Sequence, residues 1–319
     1  MIQKGIVITF LITLFSRILF SWGFHAHKHI IQMAIFTLPQ EMILFYKNNM
    51  LLLEEASVQP DIRRYVMEEE APRHYIDIDA YGDSAVFTFP REWSVAQEVF
   101  SRDTLMANGI IPWAVLWTKY ELTEAFKQGN RTRILRYSAD IAHYISDAHV
   151  PLHTTINYNG QFTGQEGIHR LWETRIPEIQ SKDYTFWVGK ATYIADTETR
   201  IWEVIESSHL KVDSVLQIEK QLSESFSEDR KYAYRKTGKT ERRDYSELYT
   251  EAYADLLCGM VERQMRASVK LIGDFWFTCW VDAGQPNITD FKILSDRYLD
   301  KVQKKDSLRV PSQRTGLHN

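Results

Sequence analysis

The sequence predicts an all-α fold, a multi-helix bundle of about eight to ten helices. Apolar residues recur at three- and four-residue spacing over long stretches, the signature of amphipathic helices. Strand-like runs are few. Gly and Pro are sparse, 14 and 9 in 319 residues, which disfavours a many-turned β fold. At 44% hydrophobic and 25% charged the composition is that of an ordinary globular chain, and it excludes collagenous and disordered classes. A net charge of −4 argues against blanket nucleic-acid binding. Two Cys without a CxxC pair exclude a thiolate zinc finger, so attention passes to the ten His.

Lys4 followed by an apolar run from Gly5 to Phe15, with Ser21 near its end, reads as a signal peptide over residues 1–21. The run is short of the roughly 20 apolar residues that span a bilayer. An uncleaved N-terminal membrane anchor is the alternative. Export predicts a secreted or periplasmic protein whose mature chain begins at Trp22. A helical domain is then expected over 22–300 and a flexible basic tail over 301–319.

Helical periodicity marks Ala26–Phe36 and Glu41–Glu55. Pro112–Gln128 begins with Pro at a first helical position and stops before Gly129. Arg131–His149 carries an inner stripe of Ile134, Leu135, Ile141 and Ile145, and ends at Pro151. A helix restarts over Gly167–Ile176, and Ile194–Ser225 and Tyr245–Trp280 are long periodic stretches. Val86–Phe89 is the best strand candidate. Two segments read as loops. Asn157–Gly167 is polar and Gly-rich but contains Tyr158 and Phe162; Glu228–Asp244 holds seven Lys/Arg against four Asp/Glu.

The chemistry concentrates in Ala139–His153, ADIAHYISDAHVPLH. His143 and Asp147 are four apart on a predicted helix, about 40° around its axis and about 6 Å along it, so one cation can take both. His153 follows beyond Pro151. In GIHRLWE, His169 and Glu173 repeat the four-residue spacing. Imidazole and carboxylate without thiolate suit Zn²⁺ in catalytic sites, where a position stays open for water. Two such pairs and a loop His suggest more than one ion. Paired metals suit in-line phosphoryl displacement. Upstream, Asp61 follows Pro60 and is also readable as a helix N-cap; His74 follows Pro72 and is also readable as a core histidine. Asp77 and Asp79 share a face of an extended segment. WGFHAHKH offers His25, His27 and His29.

Taken together, Trp22, a His, an Asp, a His, HxxxDxxxxxH and HxxxE resemble the zinc-dependent phospholipase C / S1–P1 nuclease superfamily over Trp22–Glu173. The resemblance implies about three Zn²⁺. Asp61, His74, His143 and Asp147 would hold the first, and His153, His169 and Glu173 the second. Trp22, through its terminal amine and carbonyl oxygen, and His27 would hold the third, with Asp147 bridging first and third. His27 is preferred over His25 and His29 because it falls five residues after Trp22, as in the nucleases. Glu173 matches the phospholipases C, whereas Arg64, three residues after Asp61, resembles the nuclease arginine that supports the transition state. His149 stands where nucleases often carry Gln. Cys258 and Cys279 could pair only if the chain turns back between them.

The expectation is a zinc-dependent hydrolase of phosphate esters, phosphodiesters first among them, with Asp61 and Arg64 as catalytic residues. Glu173 tilts the substrate toward phospholipid, a phospholipase C-like reading; a single-strand nuclease of the S1/P1 type is the alternative. A non-catalytic metal-binding surface protein is the second. No obligate protein partner is evident.

Overall fold

The computed structural model describes residues 23–237 and 240–288. The expected signal peptide, Trp22 and the tail from 301 onward lie outside the described residues. The architecture is all-α as expected, with one two-stranded hairpin among the described residues.

In chain order the helices begin with α1 (Phe24–Ile35), α2 (Gln40–Asn48), α3 (Met50–Ala56) and α4 (Gln59–Arg63). The single periodic stretch expected over Glu41–Glu55 breaks at Asn49, whose side-chain amide donates to the Phe45 carbonyl, 2.6 Å. That contact competes with helix continuation. Two 3₁₀ turns follow, Ala71–His74 and Ile78–Tyr81, then α5 (Ala85–Thr88), α6 (Trp93–Phe100) and α7 (Arg102–Asn108). The expected strand Val86–Phe89 is instead largely the one-turn α5. Among the described residues no strand lies beside it to satisfy its backbone, and Phe89 N–H closes onto the Ala85 carbonyl. Val86 and Phe89 are buried instead, Phe89 packing among Tyr81, Phe100, Trp113 and Trp202, while Phe87 is exposed.

Next come α8 (Ile111–Lys127) and α9 (Arg131–Ala148), joined by Gln128, Gly129 and Asn130 and packed against each other. Asn130 caps α9 by accepting from Arg133 N–H at 3.1 Å, an interaction worth about 1 kcal/mol. From Tyr137 to Ala148 every residue of α9 is buried, because α1, α3, α8 and α16 (Met260–Asp282) surround it. A helix buried on all faces has to satisfy its polar side chains inside the protein. Tyr46 and Trp276 stack at 4.6 Å beside it, and both bond Ser138, through its hydroxyl and its carbonyl.

After the 3₁₀ turn Pro151–Thr154, the expected Gly167–Ile176 helix is composite. It runs as α10 (Ile168–Arg170), a π-helical turn over Leu171–Arg175, and α11 (Ile176–Gln180). Each of the two long downstream stretches is also a pair: α12 (Thr197–His209) with α13 (Val212–Glu224), and α15 (Glu247–Leu256) with α16. The second break falls at Cys258 and Gly259, both at positive φ. Cys258 is thereby exposed at the start of α16 and Cys279 buried near its end, and both are free. The basic segment expected as a loop is instead α14 (Glu228–Lys231) and an antiparallel hairpin, β1 (Tyr232–Thr237) and β2 (Thr240–Tyr245). Its alternation places Tyr232 opposite Tyr245, rings 5.1 Å apart. No described helix is long and apolar enough to cross a membrane.

Candidate metal centre

The polar faces of α1, α4, α9 and the Ala71–His74 turn converge on one buried cluster. α9 presents His143 and Asp147, which are fully buried, and their four-residue spacing sets His143 Nε2 3.2 Å from Asp147 Oδ2. The 3₁₀ turn presents His74, whose Nδ1 lies 2.9 Å from Asp147 Oδ2 and 3.0 Å from His143 Nε2. From α4, Asp61 Oδ1 lies 3.8 Å from His143 Nε2 and 3.9 Å from His74 Nδ1. The four residues expected around a first ion are therefore together. His27 reaches the same place from α1: its Nε2 is 3.4 Å from Asp147 Oδ1, and its ring stacks on His143 at 4.1 Å. Asp147 thus directs one oxygen at His27 and the other at His74 and His143, which is a bridging disposition.

His153, His169 and Glu173 form a second buried group. Glu173 Oε2 is 3.0 Å from His169 Nε2 and 3.3 Å from His153 Nε2, and the two Nε2 atoms are 3.1 Å apart. The π-helical turn carries Glu173; such turns recur at functional sites. His25 and His29 stay outside the cluster. His25 bonds Ser181 Oγ at 3.0 Å, and His29 packs edge-on against Phe186. His149 also stands apart, donating from Nδ1 to the Ile145 carbonyl at 2.7 Å. Asp79 braces the loop, accepting from Thr155 Oγ1 and Ile156 N–H. Trp22 lies outside the described residues; its neighbour Gly23 donates its N–H to the Glu173 carbonyl at 3.3 Å.

Backbone carbonyls orient the rings. His143 Nδ1 donates to Ser57 O at 2.7 Å, His153 Nδ1 to His74 O, and His169 Nδ1 to Tyr158 O at 3.0 Å. A carbonyl only accepts, so each of these rings carries a proton on Nδ1, and a neutral ring then has its lone pair on Nε2. In the second group, two imidazole lone pairs and a carboxylate oxygen then meet with no donor among them. Such a point needs a proton or a cation. Burial pushes Glu173 up to about 8, so without a cation its carboxyl keeps the proton at neutral pH. Burial holds His169 and His27 down near 4 and uncharged. Burial opposes charge on His143 too, but Asp147 and Asp61 outweigh it and raise it to about 9. Asp61 Oδ1 and Glu173 Oε1 are buried without a hydrogen-bond partner. Orphaned acceptors and converging lone pairs suit divalent cations. The donor set of imidazole and carboxylate suits zinc.

A narrow pocket opens on the cluster, lined by Arg64, His74, Tyr75, Asp77, Leu152, His153, Tyr158 and His169. Arg64 is largely buried, 3.6 Å from Asp61 Oδ1. Tyr75 and the hydrogen-bond partners behind the ligands were not singled out by the sequence reasoning; Tyr75 follows His74 directly, and Glu70 precedes it by four.

The family model described as S1/P1 nuclease matches residues 22–271. No curated protein matches the chain.

Proposed function

The chain belongs to the S1/P1 nuclease family, and from that premise we propose that it hydrolyses phosphodiester bonds in single-stranded nucleic acid with zinc as cofactor. The observation that carries this reading is the pocket lining. Tyr75 and Tyr158 offer aromatic faces, Asp77 offers a carboxylate to the exocyclic donors of a base, and Arg64 offers a cation to a phosphate. Stacking of a base on an aromatic ring is worth about 1–3 kcal/mol. Leu152 is the sole aliphatic side chain among the residues lining that pocket, which is poor provision for an acyl chain. The family match and this lining both favour the nuclease alternative over the phospholipase C-like substrate that Glu173 suggested.

His27, Asp61, His74, His143 and Asp147 would hold ions on one side of the centre, and His153, His169 and Glu173 on the other. Zinc, when bound, supplies Lewis acidity toward a phosphoryl oxygen and acidifies water. Arg64 places a delocalised positive charge where negative charge grows on the phosphoryl oxygens. Asp61 Oδ1, free of hydrogen bonds, is left to take a cation or the proton of a water. Processing before Trp22 would free an α-amino group one residue from the Gly23–Glu173 contact.

Purified protein starting at Trp22 is assayed on single-stranded RNA and DNA, duplex DNA and lecithin, with and without a chelator. Single strands should be cut and chelation should abolish cutting. Turnover of lecithin with intact oligonucleotides would overturn the substrate, and full turnover by metal-free protein would overturn the metal. Lecithin belongs in the assay because Ile62, Tyr65 and Val66 are exposed beside Arg64.

A further inference from the structure

Behind His74 sits a buried carboxylate that the ligand pattern does not include. Glu70 is 3% exposed. Arg63 grips it from two sides, Nη2 donating to Oε1 at 3.2 Å and Nε to Oε2 at 3.3 Å. The Tyr144 hydroxyl also donates to Oε1. The same guanidinium donates through Nη1 to Asp140 Oδ1 at 3.0 Å. Arg63 belongs to α4 with Asp61, and Asp140 and Tyr144 belong to α9 with His143 and Asp147. Glu70 therefore sits at a junction of the three segments that supply the first group of ligands.

Its Oε1 lies 3.9 Å from His74 Nε2. His74 points Nδ1 into the cluster, at Asp147 Oδ2 and His143 Nε2. A ring that offers its Nδ1 lone pair to a cation carries its proton on Nε2. That Nε2 is buried and has no hydrogen-bond partner. Metal-bound imidazoles commonly donate their distal N–H to a carboxylate, which fixes the tautomer and ring orientation. The gap exceeds a hydrogen bond by about 1 Å, a distance that a small tilt of the ring covers. Glu70 cannot swing away, because three donors hold it.

We infer that Glu70 is the positioning residue of the first metal subsite: it accepts the Nε2 proton of His74 and so keeps Nδ1 turned to the ion. The role rests on the metal reading above. The test uses the full chain starting at Trp22, as wild type, Glu70→Leu and Glu70→Gln. Zinc is titrated against a competing chelator, and histidine ¹⁵N shifts are recorded in the zinc-loaded proteins. Glu70→Leu should weaken one zinc ion about ten- to a hundredfold and shift the His74 ring-nitrogen signals, with Glu70→Gln intermediate. A general loss of packing would not change the His74 tautomer. If Glu70→Leu does not fold, Glu70→Gln decides. Wild-type zinc affinity with unchanged His74 signals in the folded variants overturns the role alone; a wild type that binds no zinc overturns the metal reading and this role together.

Discussion

Loading the metal-free protein with zinc at pH 7 should expel about two protons. Without metal, burial keeps Glu173 protonated up to about pH 8, so at pH 7 roughly nine-tenths of the molecules carry that proton. His143 is raised to about 9, its burial outweighed by Asp147 and Asp61, and at pH 7 it is almost wholly charged. A metal needs the carboxylate and the neutral imidazole, so both protons must leave. His27 and His169, held near 4 by burial, have none to give beyond the Nδ1–H that His169 keeps for Tyr158. The sign follows directly: groups whose metal-free pKa is raised penalise binding at low pH. The logarithm of each ion's affinity should rise by about one per pH unit, below about pH 8 on the Glu173 side and below about pH 9 on the His143 side, and flatten above. Calorimetry at one pH in buffers of differing ionisation enthalpy reads the proton count, and chelator competition from pH 6 to 10 reads the slope. Release of less than half a proton at pH 7, or a flat affinity profile, would refute the assignment of Glu173 and His143 as protonated ligands of a buried centre.

His149 should make the protein acid-sensitive independently of metal. Burial lowers it to about 4 against an ordinary 6.5, so the unfolded chain takes up its proton first. The stability it contributes is complete above about pH 6.5 and is lost as pH falls to 4, about 3 kcal/mol in all; in melting curves of chelated protein, His149→Gln should flatten that slope, and an unchanged slope would exclude His149 as its source. A chain carrying one extra residue before Trp22 should bind about one zinc fewer than the chain that starts there, by native mass spectrometry, and equal counts would remove the terminal amine from the ligand set. Tyr75→Ala should lower kcat/KM on oligonucleotides roughly fivefold to a hundredfold while Tyr75→Phe stays near wild type; equal values for all three would show that the ring stacks no base.

Some of this was legible in the sequence because helical periodicity converts spacing into direction. His143 with Asp147, and His169 with Glu173, lie four apart, so the chain alone places each pair on one face. The breaks at Asn49 and at Cys258–Gly259 were not legible. They depend on a side chain capturing a local carbonyl and on backbone at positive φ, neither of which disturbs the apolar period. The hairpin at 232–245 was hidden by its charges: its Arg and Lys residues read as loop, although Tyr232 and Tyr245 pair across the two strands. Arg63 and Glu70 were missed for a different reason. Arg63 meets Asp140 across 77 residues of sequence, and such a contact leaves no mark in local spacing.

Whether the cluster serves chemistry or only holds helices together turns on access. A cluster kept solely as a staple has reason to be sealed, with every donor turned inward. Here the cavity touches His74 from one ligand group and His153 and His169 from the other, so a single small ligand in it can reach both groups. Arg64 lines the same cavity and pairs with Asp61, although a buried guanidinium beside cations is electrostatically costly. An arrangement that accepts such repulsion is rational if an anion arrives between them, because a phosphate is stabilised by the arginine and the metals at once. On the proposed nuclease reading, Arg64 and the two ligand groups face the same cavity so that an incoming phosphodiester meets both.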